Sequence, residues 1–106
     1  MKKYTDKGKK DTRSGFGAGL YEAGKADANV VALTADLKGS LKMEAFADAF
    51  PERYYECGIA EANMVGAAAG LAIGGKIPFV GSFAEFVTGR VYDQIRMEVC
   101  YGETNV

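Results

Sequence analysis

Asn29-Val30-Val31-Ala32-Leu33-Thr34-Ala35-Asp36 decides the architecture of this 106-residue chain. Apolar side chains follow one another without alternation from Val30 to Leu33. That is the pattern of a strand covered on both faces, and Asp36 closes it. Such strands belong to parallel sheets, whose crossovers lay helices over them, so the flanking sequence has to supply helices. Upstream, Thr12 is a candidate N-cap for a helix running to Gly24, with Phe16, Leu20 and Ala23 at helical spacing and several glycines weakening the pattern. Downstream, the loop Leu37-Lys38-Gly39-Ser40 leads into a short amphipathic helix over 41–50, with Met43, Phe46 and Phe50 on one side and Pro51 as its stop.

The order then repeats. Residues 54–57 read as a second strand ending in the Gly58 turn, and an Ala/Gly-rich helix over 60–73 is ended by Gly74-Gly75. A third strand over 77–81 precedes a last helix over 83–99, whose apolar stripe is Phe86, Val87, Val91, Ile95 and Val99. Alternating helices and strands predict a three-layer α/β/α domain with a mostly parallel sheet. Residues 1–11, rich in lysine and without periodicity, read as a disordered lead-in, and 12–106 as one domain. Residues 102–106 look like a turn into a fourth strand, and three strands make a small sheet, so the domain reads as truncated at its C-terminal end.

Within 59–73, Glu61 is the one ionisable side chain, flanked by alanines, valine and leucine. Taking an ionised carboxylate out of water is costly without a partner. Glu61 near a helix start also complements the macrodipole, and both readings stand on the residues alone. In open parallel sheets ligands bind outside the carboxyl ends of the strands, and Asp36, Glu61 and Ser82 all fall at such ends. Taken singly, Asp36 reads as a loop or capping residue and Ser82 as a helix cap. Phe83 and Phe86, at i and i+3, read either as core or as the walls of a pocket for a planar heteroaromatic ring. Arg13 and Ser40 read either as a solvated pair or as two donors to one anion.

Composition excludes several classes. Thirteen lysines and arginines against fourteen aspartates and glutamates give a net charge of −1, so neither a nucleic-acid footprint nor an anionic membrane surface is indicated. Without histidine, and with two cysteines far apart, neither a zinc site nor a His-based triad can be assembled, and no metal site is expected in this chain. No apolar run approaches the ~18 residues of a membrane helix, and the start lacks a signal-peptide core, so a cytoplasmic location is expected.

The strings TADLKGS (34–40), FPERYYECGIAEANMVGAAAGLA (50–72), GKIPFVGSFAEFVTGR (75–90) and YDQIR (92–96) together resemble the pyrimidine-binding domain of transketolase, in particular the C-terminal section of split transketolases. The resemblance covers nearly all of 13–106. It implies thiamine diphosphate as cofactor, with Glu61 hydrogen-bonding a ring nitrogen of the aminopyrimidine and promoting deprotonation of the thiazolium carbon. A two-carbon ketol unit then passes between sugar phosphates. It further implies that Phe83 and Phe86 line the pyrimidine pocket, that Asp36 lies beside the thiazolium ring, and that Arg13 and Ser40 contact the sugar phosphate. Gly89 stands where many transketolases carry a further aromatic residue, which opens the pocket on that side.

The diphosphate-binding half, with its GDG segment and the magnesium it holds, is missing. The resemblance therefore implies a transketolase N-terminal section as partner, in a dimer or heterotetramer, and an inactive chain without it. Deoxyxylulose-phosphate synthase shares similar strings; Asn63-Met64 and Phe79-Val80-Gly81-Ser82-Phe83 favour transketolase. The beta subunit of 2-oxoacid dehydrogenases is more distant. A non-catalytic fragment or interaction module, associating through 60–73, is the alternative from another class.

Overall fold

β1 (Val30–Thr34) occupies the centre of a three-stranded sheet ordered β2-β1-β3, with β2 (Tyr54–Glu56) and β3 (Ile77–Gly81) both parallel to it. The computed structural model describes residues 3, 5 and 8–106. All five residues of β1 are buried, as its unbroken apolar run predicts. Val30 and Ala32 pack with Leu20 of α1 (Thr12–Ala26) and Phe46 of α2 (Glu44–Ala49), while Val31, Leu33 and Ala35 pack with Met64 and Ala68 of α3 (Glu61–Ile73). Period-two alternation thus sends the same strand into two cores, one per face, and the domain is three-layered. The chain leaves β1 for β2 across one face, then passes back beyond β1 to β3 across the other. Crossovers of one hand require that change of face when direction reverses.

Two glycines explain why α1 can be a helix despite its sequence. A Cβ at Gly17 would collide with the backbone carbonyl of Lys42, and one at Gly24 would sit 2.5 Å from the Phe46 ring. One heptad apart, they let the helix lie directly on 42–50, whereas Gly15 and Gly19 face open space. Arg53 secures the far end of this layer. Its guanidinium donates to the carbonyls of Asp27 (3.0 Å) and Gly24 (3.1 Å) and stacks 3.8 Å from the Phe50 ring centre, closing the C-terminus of α1.

Several boundaries differ from the sequence reading. Asp11, not Thr12, caps α1: its carboxylate accepts from the Ser14 backbone N–H and hydroxyl, each at 2.8 Å, and these bonds, the backbone one foremost, hold it below the usual carboxylate range. Asp11 therefore belongs to the folded part, and Met1, Lys2, Tyr4, Asp6 and Lys7 of the expected lead-in lie outside the described residues. The second helix begins at Glu44 rather than at 41, because Lys42 adopts a left-handed φ of 59°. Leu41 and Met43 are buried all the same, carried by turns in which Leu41 N–H donates to Leu37 O and Met43 N–H to Lys38 O, both at 3.0 Å.

The last helix differs most. In place of one helix over 83–99 the chain forms α4 (Ala84–Thr88), a turn at Gly89-Arg90-Val91, α5 (Tyr92–Gln94) and a π-helical segment, Ile95–Tyr101. Helical spacing cannot foresee this, because the turn answers tertiary demands: Val91 drops fully into the core while Arg90 reaches toward α3. Residues 102–106 form no strand, but Val106 packs against the Val31/Leu33 core. Among the described residues, no helix is long and apolar enough to cross a membrane.

Candidate functional site

The carboxyl ends of the strands open into a cleft of about 130 Å³ lined by Ala35, Asp36, Leu37, Ile59, Glu61 and Phe86. It lies where the chain order reverses about β1, the place where open parallel sheets bind ligands. Glu61 is the first residue of α3 and is 4% exposed, so the burial inferred from its neighbours holds. Its carboxylate complements the positive end of α3, as the plainer reading expects. It also has a partner within the chain, which the sequence did not reveal. Arg90 Nη1 lies 3.3 Å from both carboxylate oxygens, and the guanidinium carbon lies 4.0 Å from the Phe86 ring centre. Arg90 is 29 residues away in sequence, inside what reads as a continuous helix, so periodicity offers no signal for it.

Asp36 sits just beyond β1 with φ 59°, a left-handed conformation that aspartate tolerates in turns. Its backbone N–H donates to Glu56 Oε1 at 2.7 Å, and the Gly58 N–H donates to the same oxygen at 3.0 Å. Glu56 Oε2 accepts from the Tyr54 hydroxyl at 3.2 Å. One carboxylate at the end of β2 thereby ties together the two loops that deliver Asp36 and Glu61. Burial, then the Glu56 charge, pushes both the Tyr54 hydroxyl and the Cys57 thiol above their usual values. On the other flank, Thr34 Oγ1 donates to Gly81 O at 2.9 Å, locking the end of β1 to that of β3.

Phe83, just before α4, and Phe86, within it, lie side by side. The rings of Phe83 and Phe86 are 5.9 Å apart at 42°, with Phe86 lining the cleft and Phe83 44% exposed beside it. Ser82 does not cap α4: Phe83 is the residue preceding that helix, and the buried Ser82 Oγ has no hydrogen-bond partner among the described residues. Arg13 and Ser40 do come together, Arg13 Nη1 reaching the Ser40 backbone oxygen at 3.5 Å while its Nε lies 3.6 Å from Asp11. No hydrogen bond or ion pair among the described residues joins this pair to Glu61 or Asp36. No cluster of three or more potential metal ligands occurs among the described residues.

A parallel α/β domain with a buried acid and an aromatic pair at its strand ends belongs to the open-sheet class, whose ligands bind at such ends. Residues 8–106 match the family described as the transketolase, pyrimidine binding domain, and the chain belongs to that family. It is 50% identical over 97 residues, 92% of its length, to a chain of Methanocaldococcus jannaschii named as a transketolase C-terminal section, and covers 31% of that relative. It is 43% identical over 91 residues, 86% of its length, to a 1-deoxy-D-xylulose-5-phosphate synthase of Lachnoclostridium phytofermentans, covering 14% of it. A solved split-gene transketolase, described as an inactive beta4 tetramer, superposes with a TM-score of 0.81 at 48% identity, over 90% of this chain and 32% of that one. The chain thus spans less than a third of the length of each of these relatives.

Proposed function

We propose that this chain, through a pyrimidine-binding domain over 12–106, supplies the aminopyrimidine half of a thiamine diphosphate site in a split transketolase. The observation that carries the reading is Glu61, a carboxylate 4% exposed that lines a cleft with the Phe86 ring beside it. A buried acceptor next to an aromatic face suits the hydrogen-bonding edge and flat face of an aminopyrimidine. Bound there, the cofactor supplies an acidic thiazolium carbon. The protein's part is to hold the ring against Phe83 and Phe86 and to share a proton between Glu61 and the ring nitrogen in a water-poor pocket.

Two features support a shared site. The cleft, about 130 Å³, is smaller than the roughly 300–1,000 Å³ of a complete ligand pocket. Ile59, on its wall, is 77% exposed, as suits a surface that a second chain covers. That second chain is a diphosphate-binding N-terminal section carrying the magnesium, joined in a dimer or heterotetramer in the cytoplasm. Asp36 would hold the thiazolium side, and Arg13 with Ser40 the sugar phosphate, for transfer of a two-carbon ketol unit between sugars.

Deoxyxylulose-phosphate synthesis is the second reading, favoured by the similarity to that synthase; use of a ketose phosphate rather than pyruvate as donor decides between them. The test of Glu61 is hydrogen–deuterium exchange at the thiazolium carbon in a complex reconstituted with a diphosphate-binding section. Glu61→Gln should slow exchange by at least about a hundredfold, the usual reach of one positioned acid–base group, while leaving the fold intact. Unchanged exchange would remove Glu61 from the chemistry.

A further inference from the structure

The contact between Arg90 and Glu61 is looser than the strongest arginine–carboxylate pairs. Arginine binds carboxylates most strongly with two nitrogens, one per oxygen, at about 2.7–2.9 Å. Here a single Nη1 spans both oxygens at 3.3 Å. The two partners are also unlike: Glu61 is 4% exposed, whereas the Arg90 side chain is 49% exposed. Arg90 sits in the turn between α4 and α5, where its N–H and that of Gly89 both use Glu85 O, at 3.2 and 3.1 Å. The Arg90 side chain is thus already half in water, while the next residue, Val91, is fully buried.

Arg90 contacts two of the residues that line the cleft, Glu61 and Phe86, in the way the proposed ligand would. A guanidinium is planar, donates hydrogen bonds along its edge and stacks on aromatic faces. Arg90 presents its edge to Glu61 and its face to Phe86, at 4.0 Å from the ring centre. An aminopyrimidine is also planar, and its ring nitrogen, once it carries the proton shared with Glu61, donates to the same carboxylate while the ring face calls on Phe86.

We propose that Arg90 is an internal placeholder for the pyrimidine ring: it pairs Glu61 while the site is empty and has to swing out before the ring can enter. This rests on the reading of Glu61 as the acid that shares a proton with the pyrimidine ring nitrogen. Burying a carboxylate without a partner is costly, so the placeholder keeps the empty chain folded around its acid. The same contact reduces apparent affinity by the fraction of chains in which Arg90 is already displaced. Arg90 is thus a positioning residue that sets how readily the site loads.

The test uses the full chain, as wild type, Arg90→Ala and Arg90→Gln, titrated with the hydroxymethyl aminopyrimidine fragment of thiamine and followed by NMR. The arginine guanidinium signals provide a second readout that needs no ligand. In wild type, the Arg90 signal should be shifted from solvent values, and both Glu61→Gln and saturating fragment should return it to them. Arg90→Ala should bind the fragment on the order of tenfold more tightly, the scale of one exchanged charge contact. Arg90→Gln, which retains a neutral donor and guards against loss of the fold, should fall between. Fragment binding that leaves the Arg90 signal unmoved, or Arg90→Ala binding no tighter than wild type, overturns the placeholder and leaves the Glu61 reading standing. Binding to none of the chains, alone or mixed with a diphosphate-binding section, overturns that reading and the placeholder with it.

Discussion

Glu56 illustrates how much a single side chain contributes beside the candidate site. It takes backbone donors from Asp36 and Gly58 on one oxygen and the Tyr54 hydroxyl on the other, so its charge holds two loops at a fixed distance. The same charge acts on the neighbouring Cys57 thiol, already pushed up by burial. A raised thiol stays protonated as pH climbs and therefore alkylates slowly. In a Cys100→Ser background, the pH profile of Cys57 alkylation should have its midpoint above that of a free thiol. Glu56→Gln should bring the midpoint part of the way down, since burial is the larger cause. A midpoint at or below the free-thiol value would contradict this electrostatic picture. None of it is legible from the string Tyr54-Tyr55-Glu56-Cys57, which reads as strand. The burial of Glu61, by contrast, is written in its apolar neighbours, although its partner Arg90 is not.

Among the elements, α1 carries the sharpest test because its glycines divide into two kinds. A Cβ added at Gly15 or Gly19 would have nothing within 4 Å, so alanine there should gain only its helix propensity, stabilising the chain by about 0.5–1 kcal/mol each. Gly17 and Gly24 face Lys42 and the Phe46 ring, and alanine there should cost about 1–3 kcal/mol by overpacking. Gly17 should cost more, since a backbone carbonyl yields less than a ring. Urea denaturation of the four variants checks the order, and a destabilising Gly15→Ala or a neutral Gly17→Ala would contradict the packing. Read in sequence, these glycines look alike and merely weaken the helix, because what distinguishes them is the surface across from each. The break at Gly89-Arg90-Val91 is hidden from the sequence for the same reason: it follows from where Val91 and Arg90 go, not from local propensity.

For the molecule as a whole, the layers were legible because β1 states its burial in every residue and the alternation of elements leaves little topological freedom. Less legible is how the open edges are used. Tyr92, Tyr101 and Ile73 are 68%, 81% and 79% exposed. At the cleft itself Ile59 is 77% exposed, which fits a chain that completes its site against another. The most direct measurement is therefore calorimetric titration of thiamine diphosphate, with magnesium, into this chain, into a diphosphate-binding transketolase section, and into their mixture. The mixture should bind on the order of a hundredfold more tightly than either part alone, the gain expected when two half-sites grip one ligand. Equal affinity for the mixture and the parts would contradict the claim that this chain supplies half of the site.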